Sequence, residues 1–160
     1  MKYRLTDETI ERNGFTLHRI QAMKDFGDVK AGDLGGFIEN ENNLSHEGNA
    51  WVWDDAKVYG NARVYGDAWV YGDAWVCGNA EIYGDARIYD KAWVYDNAEV
   101  YGDARVCGNA IVHDNAWVYG KAKVYDEADV CDNVKVHGKS KVHGKAEVYG
   151  VAEVWNWELL

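Results

Sequence analysis

The sequence predicts an all-β protein, a triangular solenoid of short single strands, and three regularities predict it. Valine or isoleucine recurs at every sixth position from Val52 to Val154, eighteen times and without an insertion. The residue two places earlier is alanine in every hexad but two, where Val134 and Ser140 stand. Each hexad closes on pairs such as Gly-Asp, Gly-Asn or Asp-Asn, residue types that tolerate positive φ.

Within a hexad of the form A-x-V-Y-G-[D/N], small and branched apolar residues alternate with two outward-type residues. A period of two is the pattern of a half-buried strand. Ala and Val face in, x and Tyr face out, and the next two residues turn a corner. "ARVYGDAWVYGDAWVCGNAEIYGDARIY", residues 62–89, repeats this unit almost letter for letter.

Three hexads close one coil. Asn61, Asn79, Asn97, Asn115 and Asn133 recur at the second corner position every eighteen residues. Gly48, Gly66, Gly84, Gly102, Gly120 and Gly138 do so at the first, while Asp replaces Gly only on the other two edges, at Asp54, Asp90, Asp126 and at Asp96, Asp114, Asp132. Three unlike edges make a triangle, so eighteen hexads give about six coils, stacked roughly 4.8 Å apart. No such coil is stable alone, and each Val buried contributes roughly 1.5–3 kcal/mol.

The chain divides into an N-terminal cap with a first irregular coil (1–49), the hexapeptide-repeat solenoid (50–155) and a C-terminal plug (156–160). "GFTLHRIQA" (14–22) reads as a strand paired with "YRLT" (3–6), covering the open edge of the first coil. His46 falls in a valine slot of the cap, where a local backbone hydrogen bond is favoured over catalysis. The tail "VWNWELL" places Trp155, Trp157, Leu159 and Leu160 at the opposite end, as a plug or an oligomer contact.

The composition of the 160 residues is that of a repeat protein: no proline, 17 glycines, 8 tryptophans and 11 tyrosines. The first residues, MKYRLTDETIERNG, hold no apolar leader segment, and no apolar run approaches the roughly 18 residues of a membrane span, so a cytoplasmic protein is expected. A net charge of -10 argues against direct nucleic-acid or membrane binding. Ten acids and four bases between residues 54 and 103, against eight and seven from 104 to 160, polarise the molecule.

Read every eighteen residues, the x slot gives three columns. The first is Trp51, Trp69, Arg87, Arg105, Lys123, Lys141; the second Lys57, Trp75, Trp93, Ile111, Asp129, Glu147; the third Arg63, Glu81, Glu99, Trp117, Lys135, Glu153. Stacked rings and Arg beside Trp stabilise neighbouring rungs, which accounts for the ladder Tyr65, Tyr83, Tyr101, Tyr119. The apolar middle of the second column, Trp75, Trp93 and Ile111 beside Tyr95 and Cys77, is expected to lie fully exposed in a monomer and so to mark a homo-oligomer contact, dimer or trimer. Together with Trp51, Trp69, Arg87 and Arg105 these are the candidate binding residues.

Other groups read as structural. Asp67, Asp85 and Asp103 stack on one edge, where hydration suffices. Lys135, His137, Lys139, Lys141, His143 and Lys145 spread over all three faces and read as a solvated surface. Cys77 and Cys131 share a face about 14 Å apart at the strand spacing and Cys107 lies on another, so three free thiols of a reducing compartment are expected.

The run V-Y-G-D-A resembles the [LIV]-[GAED]-x-x-[STAV]-x hexapeptide of the left-handed parallel β-helix, the superfamily of LpxA-like acyltransferases, commonly trimers. The segment "KAGDLGGFIENENNLS" (30–45) is similar to the lead-in of uncharacterised YdcK-like bacterial and phage proteins. The superfamily resemblance implies, as one reading, a coenzyme A thioester bound at a subunit junction with His113 as general base. The unbroken hexads leave no projecting loop for it, and fold does not imply function.

A carbonic-anhydrase-type zinc site needs three converging histidines, and His113, His137 and His143 fall on three faces, so no metal is expected. An ice-binding surface would need ladders of Thr, and no P-loop, GxSxG or paired-Cys motif is present. The favoured function is a non-enzymatic rigid scaffold without cofactor, displaying its ladders to an unidentified protein or small ligand. In a phage setting such an acidic rod would inhibit a host defence protein.

Overall fold

The computed structural model describes residues 1–160. Apart from one short 3-10 turn, Glu41–Asn43, its regular structure is entirely β. Three parallel sheets form the sides of a solenoid: a first face of seven strands from Trp51–Val52 to Glu158–Leu159, and a third of six from Arg63–Val64 to Glu153–Trp155. The second face, from Lys57–Val58 to Glu147–Val148, is extended by the cap into a nine-stranded sheet.

Register follows the eighteen-residue period: Trp93 pairs with Trp75 on one side and Ile111 on the other, and Arg105 with Arg87 and Lys123. All three expected columns pair in the expected register, and all but Trp51 and the mostly buried Lys57 face outward. From Ala50 to Val142 every residue in the Ala and Val slots is at most 1% exposed, a continuous core of small and branched side chains. Ser140, one of the two exceptions to alanine, is fully buried; its hydroxyl lies 2.8 Å from the His137 carbonyl and accepts the Trp157 amide at 3.3 Å, tying the tail to the last coils.

The corners explain the Gly-to-Asp exchanges. Asp54, Asp90, Asp96, Asp114, Asp126 and Asp132 all adopt φ between 52° and 58°, which costs a non-glycine residue strain. Each carboxylate accepts the corner amide one coil further on: Gly72 to Asp54 at 3.0 Å, Asp132 to Asp114 at 3.2 Å, Gly150 to Asp132 at 2.9 Å. These charge-assisted bonds offset the strain. On the corner between the second and third faces, the side-chain amides of Asn61, Asn79, Asn97 and Asn115 link in series at 3.2–3.3 Å.

The cap is a hairpin of β1 (Tyr3–Arg12) and β2 (Phe15–Ala22), with Tyr3 opposite Ala22 as the paired-strand reading expects. β2 pairs antiparallel with β3 (Leu34–Ile38), and β3 joins the solenoid in parallel, Phe37 beside Lys57. An irregular turn thus precedes the six coils of hexads, and about seven are stacked.

Stacking leaves the first coil's carbonyls without partners, and cap side chains supply them. Lys2 Nζ donates to Ala50 O at 2.8 Å, Asn43 Nδ2 to Ala62 O at 2.8 Å, and Tyr3 OH to Leu44 O at 2.6 Å. Burial pushes the Lys2 ammonium down to about 8.

Trp51 is corrected by the same cap: it is fully buried, edge-on to Tyr3 and Phe26, and belongs to the core rather than to the outward ladder. In the tail Val154 is buried in the core and Leu159 packs against it, whereas Trp155 and Trp157 stay exposed. No helix is long and apolar enough to cross a membrane.

β3 reaches the first coil only because it carries Gly35-Gly36. A Cβ on Gly35 would sit 2.5 Å from Val52 O and 2.7 Å from Ile20 Cγ1, and one on Gly36 2.6 Å from Ala56 O. Gly35→Ala is therefore expected to lower unfolding stability in denaturant by about 1–3 kcal/mol, the range for overpacking. An unchanged midpoint would refute this close fit.

Candidate functional site

With the core uniform, chemistry is confined to the outward slots. On the second face Trp75 and Trp93 stack at 5.2 Å, Trp93 meets Tyr95 edge-on, and Tyr95 stacks on His113 at 4.9 Å. The apolar middle is less open than expected. Trp75 is half-buried because it packs against the cluster that Leu17 and Phe37 of the cap form with Tyr59, which meets it edge-on, and Ile111 is half-buried too. Trp93, 43% exposed, is the open centre of what remains.

This aromatic row ends at His113. Its Nε2 lies 2.9 Å from Asp129 Oδ1, and since the carboxylate accepts, Nε2 donates. Nδ1 then faces Asp114 Oδ2 at 3.6 Å and Asp96 Oδ2 at 3.9 Å. Cys131 occupies the same slot one coil further on, and His113, Asp114 and Cys131 each bring a donor atom within 4.8 Å of the others.

Of this group the sequence singled out His113 alone. The missed signal is a spacing of sixteen, which sets each aromatic-slot residue against the x slot of the next coil: Tyr83 donates to Glu99 at 2.9 Å, and His137 and Glu153 lie 2.7 Å apart. Burial and Glu99 raise the Tyr83 phenol above its ordinary range.

On the first face Trp69 is enclosed by Trp53, 5.2 Å between ring centres, and by the Arg87 guanidinium 4.1 Å above its ring. Arg87, Arg105, Lys123 and Lys141 pair in register, like charge against like, which disfavours the sheet. The ion pairs of Lys and Arg lie elsewhere, at Arg19 and Lys30. A shallow groove of about 230 Å³ runs between Tyr89, Arg105, Cys107, Lys123, Tyr125 and Lys141.

The third face carries Tyr65, Tyr83, Tyr101, Tyr119 and His137 as one stack at 4.8–4.9 Å, within 5° of parallel. In the cap, His46 Nδ1 accepts the Lys2 amide at 3.2 Å and Nε2 meets Glu41 at 2.9 Å, the local backbone bond that was expected.

Comparison with known proteins agrees with this geometry. A family model described as the YdcK β-solenoid repeat matches residues 56–72, 80–96, 98–114 and 104–120. Over these stretches, which make up less than half of its length, the chain resembles the YdcK β-solenoid repeat. It is 41% identical over 61 residues to a protein of Escherichia coli (strain K12) named "Uncharacterized acetyltransferase YdcK". The match takes in 33% of this chain and 19% of that protein, so the chain spans about a fifth of the length of its relative.

The solenoid holds its cysteines as free thiols, replacing Tyr in the ladders. Burial pushes all three thiols above the ordinary value; Asp129, Asp132 and Asp114 push Cys131 the same way, whereas Tyr59 and Tyr89 act in the opposite direction on Cys77 and Cys107. Alkylation by a neutral reagent at neutral pH is expected to be slower than for a small free thiol and to accelerate as pH rises past the ordinary thiol range. A thiol reacting faster than the free reference at neutral pH would contradict this.

Proposed function

We propose that the chain is a non-enzymatic display solenoid whose second face docks a second copy of itself, two-fold and antiparallel. The exposed Trp93 carries this reading: a large indole, 43% open, flanked along its column by apolar Trp75 and Ile111, is the composition of an interface centre rather than of a solvated rung. Charge supports the antiparallel arrangement. The N-terminal end of this face holds exposed Arg12 beside Lys57, and the C-terminal end holds Asp129 and Glu147. A two-fold axis near Trp93 sets cation against anion at both ends, the self-complementarity that an isologous dimer needs.

Sedimentation velocity tests it. The wild type is expected to be a dimer, and Trp93→Asp to dissociate at least about thirtyfold more readily, as for a central interface residue. Identical monomers for both proteins would sink the proposal, and a trimer would sink the two-fold arrangement.

A second reading, acyl transfer from a coenzyme A thioester, has two observations in its favour. The relative bears the name acetyltransferase, and His113 is held by Asp129, as a positioned base would be. Here coenzyme A is expected to raise the melting temperature of the wild type and not of His113→Ala. No shift in the wild type removes this reading. The role of phage-borne inhibitor has no support in the fold or in the bacterial relative and is not carried forward.

A further inference from the structure

We infer that His113, Asp114 and Cys131 form a binding site for a divalent ion of the zinc class, with Asp129 as the carboxylate that orients the histidine. The site goes beyond the display reading and depends on neither dimerisation nor acyl transfer.

The donor set is the first ground. Imidazole nitrogen, thiolate and carboxylate together are ligands of zinc and its borderline neighbours, whereas magnesium and calcium take oxygen alone. The three ligand atoms come from one corner region of two adjacent coils: His113 and Cys131 share a slot eighteen residues apart, and Asp114 follows His113 with φ at 55°. They lie within 4.8 Å of one another, and the His113 Nδ1 to Asp114 Oδ2 distance is 3.6 Å. A tetrahedron with bonds of about 2.0–2.3 Å has edges of roughly 3.3–3.6 Å. The nitrogen and carboxylate are close to that separation, and the sulfur, no more than 4.8 Å from either, has at most about 1.5 Å to close.

The second ground is the arrangement behind the histidine. Asp129 accepts a hydrogen bond from Nε2 at 2.9 Å, so when the ring is neutral, as a metal ligand must be, Nδ1 carries the lone pair, with the carboxylate oxygens of Asp114 and Asp96 at 3.6 and 3.9 Å. Lone pairs facing lone pairs repel, and a cation between them turns the repulsion into coordination. A carboxylate holding the far nitrogen is the usual outer partner of a metal-binding histidine. Both facing carboxylates are fixed by backbone: Asp114 Oδ2 accepts the Asp132 amide at 3.2 Å, and Asp96 Oδ2 accepts the Asp114 amide at 3.3 Å. The Tyr95 ring, stacked at 4.9 Å, holds the imidazole plane.

Binding releases the Cys131 thiol proton to solvent as the sulfur becomes a thiolate ligand. Three protein donors leave a position for water or an exogenous ligand, the pattern of an open rather than a closed site.

Cobalt titration of the untagged protein provides the test. Co2+ is expected to bind one per chain with tetrahedral visible bands and a near-ultraviolet thiolate charge-transfer band, all displaced by Zn2+. Cys131→Ser should abolish the charge-transfer band, while Cys77→Ser and Cys107→Ser should keep it. Asp129→Asn should weaken binding ten- to a hundredfold, with circular dichroism confirming that the coils remain. Absence of stoichiometric bands in the wild type, a charge-transfer band that survives Cys131→Ser, or full affinity in a folded Asp129→Asn would each overturn the site.

Discussion

The molecule rests on one repeated hydrogen bond, from the backbone amide of an x-slot residue to the alanine carbonyl of the next coil. Trp93 reaches Ala110 at 3.0 Å, Arg105 reaches Ala122 at 3.0 Å, and the same reach recurs on all three faces. Neighbouring coils cannot slip along this ladder without moving inward residues to the outside. Side chains eighteen residues apart are therefore held at the strand spacing whether or not they attract each other. The tyrosine stack is a favourable result of this enforced spacing. The row of Arg87, Arg105, Lys123 and Lys141 is an unfavourable one, maintained by the backbone beneath it.

The same ladder makes the two ends of the solenoid unlike. At the start, carbonyls that point away from the stack are met by Lys2, Tyr3 and Asn43, and Trp51 is sealed beneath aromatic rings. At the far end Ala146 and Val148 are each 8% exposed, and Tyr149, Trp155 and Trp157 stand in solvent. Capping is thus concentrated at one terminus, where a buried ammonium and a buried phenol hold backbone oxygens that the regular repeat would have bonded to another coil.

Sequence alone disclosed the coil period, the three columns and the inward slots, because each follows from a strict repeat and a two-way choice of face. The fate of Trp51 was hidden, since Lys2, Tyr3 and Phe26 belong to a segment with no period and nothing in their spacing says which rung they cover. The partial burial of Trp75 was hidden likewise, by the packing of the cluster of Leu17, Phe37 and Tyr59 against it. Around His113 the failure was of another kind. Full columns were read at eighteen only for the x slot, so Cys131, eighteen residues on in the aromatic slot, was not set beside His113, and Asp129 was missed because a spacing of sixteen joins the aromatic slot to its diagonal neighbour. Gly-to-Asp exchange at the corners was visible as a pattern, but its cause, a carboxylate accepting the next coil's amide, needs coordinates.

The corners have a consequence for how such a chain can change length. Six residues inserted at a corner would leave every alanine and valine inside, and the core would register no difference. Downstream of the insertion, however, each column would pass to the adjacent side of the triangle, so that an insertion between His113 and Asp129 would part Asp129 and Cys131 from His113 and set the aspartate at one corner against a different partner above it. Only multiples of eighteen return every column to its own side, and a whole coil added outside residues 113–131 leaves that group together. The interior counts in sixes and the surface in eighteens, so a lineage of these solenoids can lengthen by whole coils and keep its chemistry, or by a third of a coil and redistribute it at little cost in folding.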